Sequence, residues 1–190
     1  MTTIWYSADP HFGHKNIIKY ANRPFASVED MDEAILRNYE EAFKPGDLFF
    51  CLGDWAFKGG QRALNRILET GVIPTLVLGN HDTTAADLAR GKTASYGVGW
   101  SEVVHYREVR HPNAVGDDLV VCAHYSMRVW NRSHAGSYML YGRSHGALPP
   151  ILRSMDVGVD CWAFRPITLD MIKARLTSLS LDAYAPPPLR

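Results

Sequence analysis

Apolar positions recur along the chain at two spacings. Between residues 27 and 43, Val28, Met31, Ile35, Tyr39 and Ala42 return every three or four positions, the repeat of one face of an α-helix. Ser27 precedes them as an N-cap, and Glu29, Asp30 and Asp32 suit the positive end of the helix dipole. The pattern predicts a helix running to Phe43. A second amphipathic helix is predicted around Ala63, Leu64, Ile67 and Leu68, closed by Gly71, and a third after Thr168 through Ile172 and Leu176. Shorter apolar or aromatic runs at 3–8, 48–52, 75–78, 119–123 and 138–141 predict strands, with two more at 102–110 and 157–162. The 102–110 run alternates only in part and reads as half exposed, with His105 and His111 on the surface.

Five of these strands end in chemistry. Asp9-Pro10-His11 follows the first, Gly53-Asp54 the second, Gly79-Asn80-His81-Asp82 the third, His124 the fourth and Gly142-Arg143-Ser144-His145 the fifth. Singly each is weak, since Asp before Pro is common in turns and a His after a buried strand is often a hydrogen-bonded core residue. Together they predict one composite site, because in layered α/β folds ligands collect beyond the carboxyl ends of strands. Two carboxylates, several imidazoles and an amide oxygen suit Mn²⁺, Fe or Zn²⁺, whereas a calcium cage wants more oxygens. A divalent transition metal is implied.

Composition narrows the class. A chain of 190 residues with 46% hydrophobic content buries roughly 70% of its unfolded surface, so residues 1–180 read as a single domain. The proline-rich stretch 181–190 reads as a tail. Twenty basic residues balance twenty acidic ones, leaving no overall field to draw the protein onto a phosphate backbone or an anionic bilayer. No apolar run reaches membrane-span length, and the first residues lack a secretory signal, so a cytoplasmic address is expected. Cys51, Cys122 and Cys161 sit in apolar segments and read as reduced thiols without a chemical role. Trp55, Tyr125, Trp130 and Trp162, beside strand ends, read as core closures rather than as a wall for a base.

The five blocks, read in order, resemble those of the calcineurin-like metallophosphoesterases: D-x-H, G-D, G-N-H-D, an isolated His and G-H-x-H. His11-Phe12-Gly13-His14-Lys15-Asn16 and Asp156-Val157-Gly158-Val159-Asp160 resemble the small bacterial and phage members, so the resemblance spans nearly the whole chain. Periodicity alone reads only as α/β; the resemblance implies two packed mixed β-sheets flanked by helices, an α/β/β/α sandwich. It also implies one or two metal ions, with Mn²⁺ the first expectation and Fe, Zn²⁺ or Ni²⁺ the others. Asp9, His11 and His145 would hold the first, Asp54 would bridge, and Asn80 with His124 would hold the second. His81 would face the substrate and Asp82 would either orient that imidazole or cap its own loop. The implied chemistry is attack of metal-activated hydroxide on phosphorus.

One position departs from this pattern. Arg143 stands where the family's last block has a histidine ligand. If Arg143 and His145 lie in extended backbone, their spacing points both to one side. A guanidinium has no acceptor atom and keeps its charge, so the second metal site loses a donor and gains a repelling neighbour. At an effective dielectric of about 20, a unit charge about 4 Å from a dication costs roughly 8 kcal/mol, most of it relieved if the side chain swings away. The same fork matches a phosphoryl group. His14, Arg23 and His134 are further candidates for phosphate or nucleobase contact, with a solvated loop as the competing reading.

The expected function is hydrolysis of a small phosphomonoester or phosphodiester, nucleotides among the candidates, with weakened second-metal occupancy. The alternative is a phosphate- or nucleotide-binding protein in which catalysis has been reduced. A nuclease is disfavoured by the neutral charge and the lack of a basic run.

Overall fold

The computed structural model describes residues 2–83, 87, 90–113 and 116–179; the expected tail at 181–190 lies outside them. The first half alternates strands and helices: β1 (Ile4–Ser7), α1 (Ile17–Tyr20), α2 (Val28–Ala42), β2 (Leu48–Cys51), α3 (Gly60–Glu69) and β3 (Ile73–Val77). The remainder contributes β4 (Glu102–Val104), β5 (Arg107–Asn113), β6 (Gly116–Cys122), β7 (Tyr138–Tyr141), β8 (Ser154–Asp156), β9 (Ile167–Thr168) and α4 (Leu169–Ser178). The helix caps lie where the sequence put them. Ser27 accepts from the Asp30 amide ahead of α2, and Thr168 accepts from the Met171 amide ahead of α4, each cap worth about 1 kcal/mol.

Two mixed sheets result. The first has the order β4-β3-β2-β1-β9, with β1 to β4 parallel and β9 antiparallel. The second has the order β5-β6-β7-β8, with only the β5–β6 pair antiparallel. Strand alternation builds the layers. Phe49 and Cys51 of β2 pack with Met31, Ile35 and Tyr39 of α2 and Leu64 and Ile67 of α3. Phe50 and Leu52 turn the other way, toward Val120, Cys122 and Leu140 of the second sheet. α4 closes this inner core with Leu169, Ile172 and Leu176. The outer face of the second sheet is packed by Met127 and Trp130, from the segment after β6. The fold is α/β, two mixed sheets flanked by helices.

Three local expectations are corrected. The run 102–110 is not one strand: β4 pairs with β3 in the first sheet and β5 with β6 in the second, so the chain changes sheets at His105–Tyr106. A half-exposed edge gives the same partial alternation in either sheet, which hides the switch. Residues 157–162 are not a strand either; β8 ends at Asp156, whose carboxylate takes the Gly158 amide at 2.7 Å, and Val159–Cys161 is a single 3₁₀ turn. His111 is half-buried rather than a surface residue, and its Nε2 lies 2.6 Å from the Tyr6 hydroxyl, joining the two sheets. The cysteines are free, with Cys51 and Cys122 buried. Among the described residues, no helix is long and apolar enough to cross a membrane.

Candidate metal centre

Parallel pairing sets the site. β1, β2 and β3 run side by side in one sheet and β6, β7 and β8 in the other, so six carboxyl ends point the same way. The two sheets meet there through a parallel bridge between Ala8 and Gly158. Beyond the strands the loops keep pairing: the amides of Asp9 and His11 donate to the carbonyls of Gly53 and Asp54, both at 3.0 Å. Asp9, His11, Asp54, Arg143 and His145 all have positive φ, between 47° and 67°, a left-handed conformation costing about 1–2 kcal/mol each for non-glycine residues. Strain is thus gathered where the strand ends turn.

Two glycines let the loops close up. A Cβ on Gly79 would fall 2.2 Å from Asp54 Oδ1, and one on Gly142 would fall 2.6 Å from Asp9 Oδ2. Each carboxylate therefore rests on a neighbouring loop that has no side chain there.

The donors converge in two groups, Asp9–His11–His145 and Asp9–Asp54–His124, the atoms of each within 4.8 Å of one another. Asp54 Oδ2 lies 3.6 Å from His11 Nε2 and 3.5 Å from His124 Nε2, between the two. His124 Nδ1 faces the Leu52 carbonyl at 2.8 Å, which in a neutral ring puts the proton there and leaves Nε2 a lone pair facing Asn80 Oδ1 at 3.0 Å. His145 Nδ1 donates to Asp160 Oδ2 at 2.7 Å, which frees its Nε2 likewise. Asp9 Oδ1 and His11 Nε2 are buried without a hydrogen-bond partner. Acceptors aimed at acceptors, and buried polar atoms with none, are costly unless a cation lies between them. The donor set fits a divalent transition metal.

Electrostatics agree. Burial first, then the carboxylates of Asp54 and Asp156, pushes Asp9 well above the usual range. Burial, then the Arg23 cation and the surrounding imidazoles, holds His11 down to about 2, so the ring is a neutral donor. Crowded carboxylates with neutral imidazoles are a site a dication stabilises.

A cleft of about 540 Å³ opens over the donors, lined by His14, His81, Arg143 and Ser144 among others. His81 is exposed at its mouth, its amide donating to Asp54 Oδ1 at 2.9 Å. His14 stacks on Phe57, ring centroids 4.9 Å apart, and lies 5.4 Å from His11. Arg143 lines the cleft and is exposed, but not for the reason the spacing suggested, since neither it nor His145 is extended. Its amide donates to Asp9 Oδ2 at 2.8 Å. His134 is exposed on a separate 3₁₀ turn, outside this cleft. Trp55 is fully buried core, while Tyr125 is 56% exposed with its ring 5.1 Å from that of His124.

Two site assignments are corrected. Arg23 does not face a substrate: its side chain is fully buried, bidentate to Asp160 and donating to the carbonyls of Asp9 and Pro10. Of the two readings of Asp82, the loop cap holds and the orientation of the His81 ring does not: Asp82 is buried, and its oxygens accept from the amides of Asp54, Trp55 and Gly79. It clamps the second loop to the third. Asp156 and Asp160 have roles that the sequence did not reveal. Asp156 accepts from the Ser144 hydroxyl and from the Gly146 amide, fixing the loop that carries His145. The signal was present in two acids four residues apart at a strand end.

No family model matches the chain. It is 25% identical over 176 residues to an uncharacterized protein of Methanocaldococcus jannaschii, covering 90% of each chain. It is 26% identical over 187 residues to the gene 66 protein of Mycobacterium phage L5, covering 85% of this chain and 88% of that one. The fold is similar to that of a protein of unknown function from Aquifex aeolicus, with a TM-score of 0.66 and 18% identity over 92% of this chain and 100% of that chain. The last likeness is one of fold.

Proposed function

We propose that this chain is a metal-dependent phosphoesterase of the calcineurin-like kind, acting on a small phosphorylated substrate. The observation that carries the reading is the meeting of two donor groups that share Asp9, with Asp54 set between them, at the joined carboxyl ends of two sheets. Asp9, His11 and His145 would hold one ion, His124 and Asn80 the other, and Asp54 would serve both. Bound there, divalent ions supply Lewis acidity to a phosphoryl oxygen and acidify a water.

The chain's own residues do the rest. His81 sits at the cleft mouth on backbone anchored to Asp54, so its ring can hand a proton to a leaving oxygen. Arg143, at the same mouth, presents a guanidinium fork to phosphoryl oxygens. It supplies no lone pair, so the second group relies on His124, Asn80 and Asp54. His14 forms the adjoining wall, its ring held by Phe57.

The test is turnover of para-nitrophenyl phosphate and bis-para-nitrophenyl phosphate with Mn²⁺ added. Turnover falling by more than about 10²-fold in Asp54→Asn and by about 10²-fold in His81→Ala is expected. Phosphate binding without turnover of either compound by the wild type would support the alternative, a binding protein with reduced catalysis.

A further inference from the structure

We propose that Arg23 and Asp160 are a positioning pair that sets the tautomer and aim of His145 and thereby the affinity of the Asp9–His11–His145 group for its cation. The inference rests on the reading of those three residues as cation ligands, and goes beyond it by assigning two residues that touch neither the ion nor the substrate.

The geometry forms a closed circuit. Arg23 uses Nε and Nη2 on the two oxygens of Asp160, at 2.8 Å each. It also donates through Nη2 to the Asp9 carbonyl at 2.7 Å and through Nη1 to the Pro10 carbonyl at 2.9 Å. Asp160 Oδ2 then takes the Nδ1 proton of His145 at 2.7 Å. One guanidinium therefore ties the backbone of one ligand, Asp9, to the ring of another, His145, 136 positions later by their numbering. His145 needs such a tie. It sits in a loop outside helix and strand with φ of 47°, and its side chain is 21% exposed whereas that of Asp160 is 8% exposed.

The chemistry follows from the proton count. A neutral imidazole carries one N–H, and a carboxylate can only accept, so the bond to Asp160 places the proton on Nδ1 and leaves the Nε2 lone pair for a cation. A carboxylate behind the ring also makes the opposite nitrogen more basic. Both Asp160 oxygens accept from the Arg23 guanidinium at 2.8 Å, the pairing of a carboxylate. Its charge also offsets Arg23, which would otherwise stand uncompensated beside the ligands.

A pair that served stability alone would make different predictions. The decisive readouts are the His145 tautomer in the metal-free protein, from two-bond ¹H–¹⁵N correlations, and Mn²⁺ affinity by titration calorimetry. Asp160→Ala is expected to lose the single Nδ1–H pattern of His145, whereas Asp160→Asn, which keeps an acceptor oxygen, retains it. Both are expected to weaken Mn²⁺ binding, Asp160→Asn by about 10- to 100-fold. An unchanged tautomer in Asp160→Ala, or wild-type Mn²⁺ affinity in Asp160→Asn, overturns the proposal. Should Asp160→Ala not fold, the Asp160→Asn affinity decides alone. Neither readout uses turnover, so an inactive protein with the expected tautomer and affinity shifts would defeat the phosphoesterase reading and leave this one standing.

Discussion

The two donor groups are held by different means. In the Asp9–His11–His145 group, the ring of His145 is aimed by a carboxylate that is itself pinned by a buried arginine. In the Asp9–Asp54–His124 group, the ring of His124 is aimed by a backbone carbonyl, that of Leu52, and the loops are clamped by Asp82 through three backbone amides. One half depends on side chains brought from distant positions and the other on the backbone of adjoining loops. A side-chain brace can be altered with the fold intact. Removing the Asp82 carboxylate instead strands three amides of those turns, so altering the clamp carries a larger loss of stability.

The largest expected effect falls on the clamped half. Asp82→Ala leaves the amides of Asp54, Trp55 and Gly79 without their acceptor, a loss on the order of 3–5 kcal/mol and about 10 °C in melting temperature. Calorimetric melting of the metal-free protein checks it. A fall no greater than that of Asp160→Asn would break the distinction between brace and clamp.

A smaller effect is expected at Arg143. Arg143→His removes a positive charge from the cleft over the donors and adds a donor, so Mn²⁺ titration should show an added or tighter site. The gain expected is about tenfold, which requires only about 1.4 kcal/mol of the repulsion to be relieved. Identical stoichiometry and affinity would mean that the guanidinium already swings clear of the ions.

The smallest effect concerns the sheets beneath both halves. Burial holds His111 below its ordinary value of 6.5, against the pull of Asp118 and alongside Lys173. Its neutral ring bonds the Tyr6 hydroxyl across the sheets. A depressed histidine is protonated more readily in the unfolded chain, so its contribution is complete above the unfolded value and is lost as the pH falls through 6.5 toward the folded one. Urea unfolding at pH 8 and pH 5 should show a difference of about 1 kcal/mol or less that His111→Gln reduces. Equal pH dependence in the variant would assign the acid sensitivity to the donor groups instead.

Much of this was legible in the chain. The helix at 28–42 was readable because its apolar spacing and its cap agree, and the donors were readable because each follows a short apolar run. Arg23 was not, since an arginine in a polar loop gives no sign that its partner lies at Asp160. For Asp82 the cap of its own loop was readable beside a partnership with His81, but its reach to the second loop was not, because sequence shows neighbours and not the loops across the sheet. His111 looked exposed because it sits in a weakly alternating edge whose buried contact comes from β1.

By itself, the sequence determined the kinds of donor, their order and their place at strand ends, since local periodicity and residue chemistry are properties of neighbours along the chain. Only the tertiary structure decided which nitrogens of His124 and His145 face an acceptor, which carboxylate lies between the two donor groups and which clamps the loops. Those choices follow from through-space hydrogen bonds and burial, and they exist only once segments as far apart as residues 9, 23, 145 and 160 are packed together.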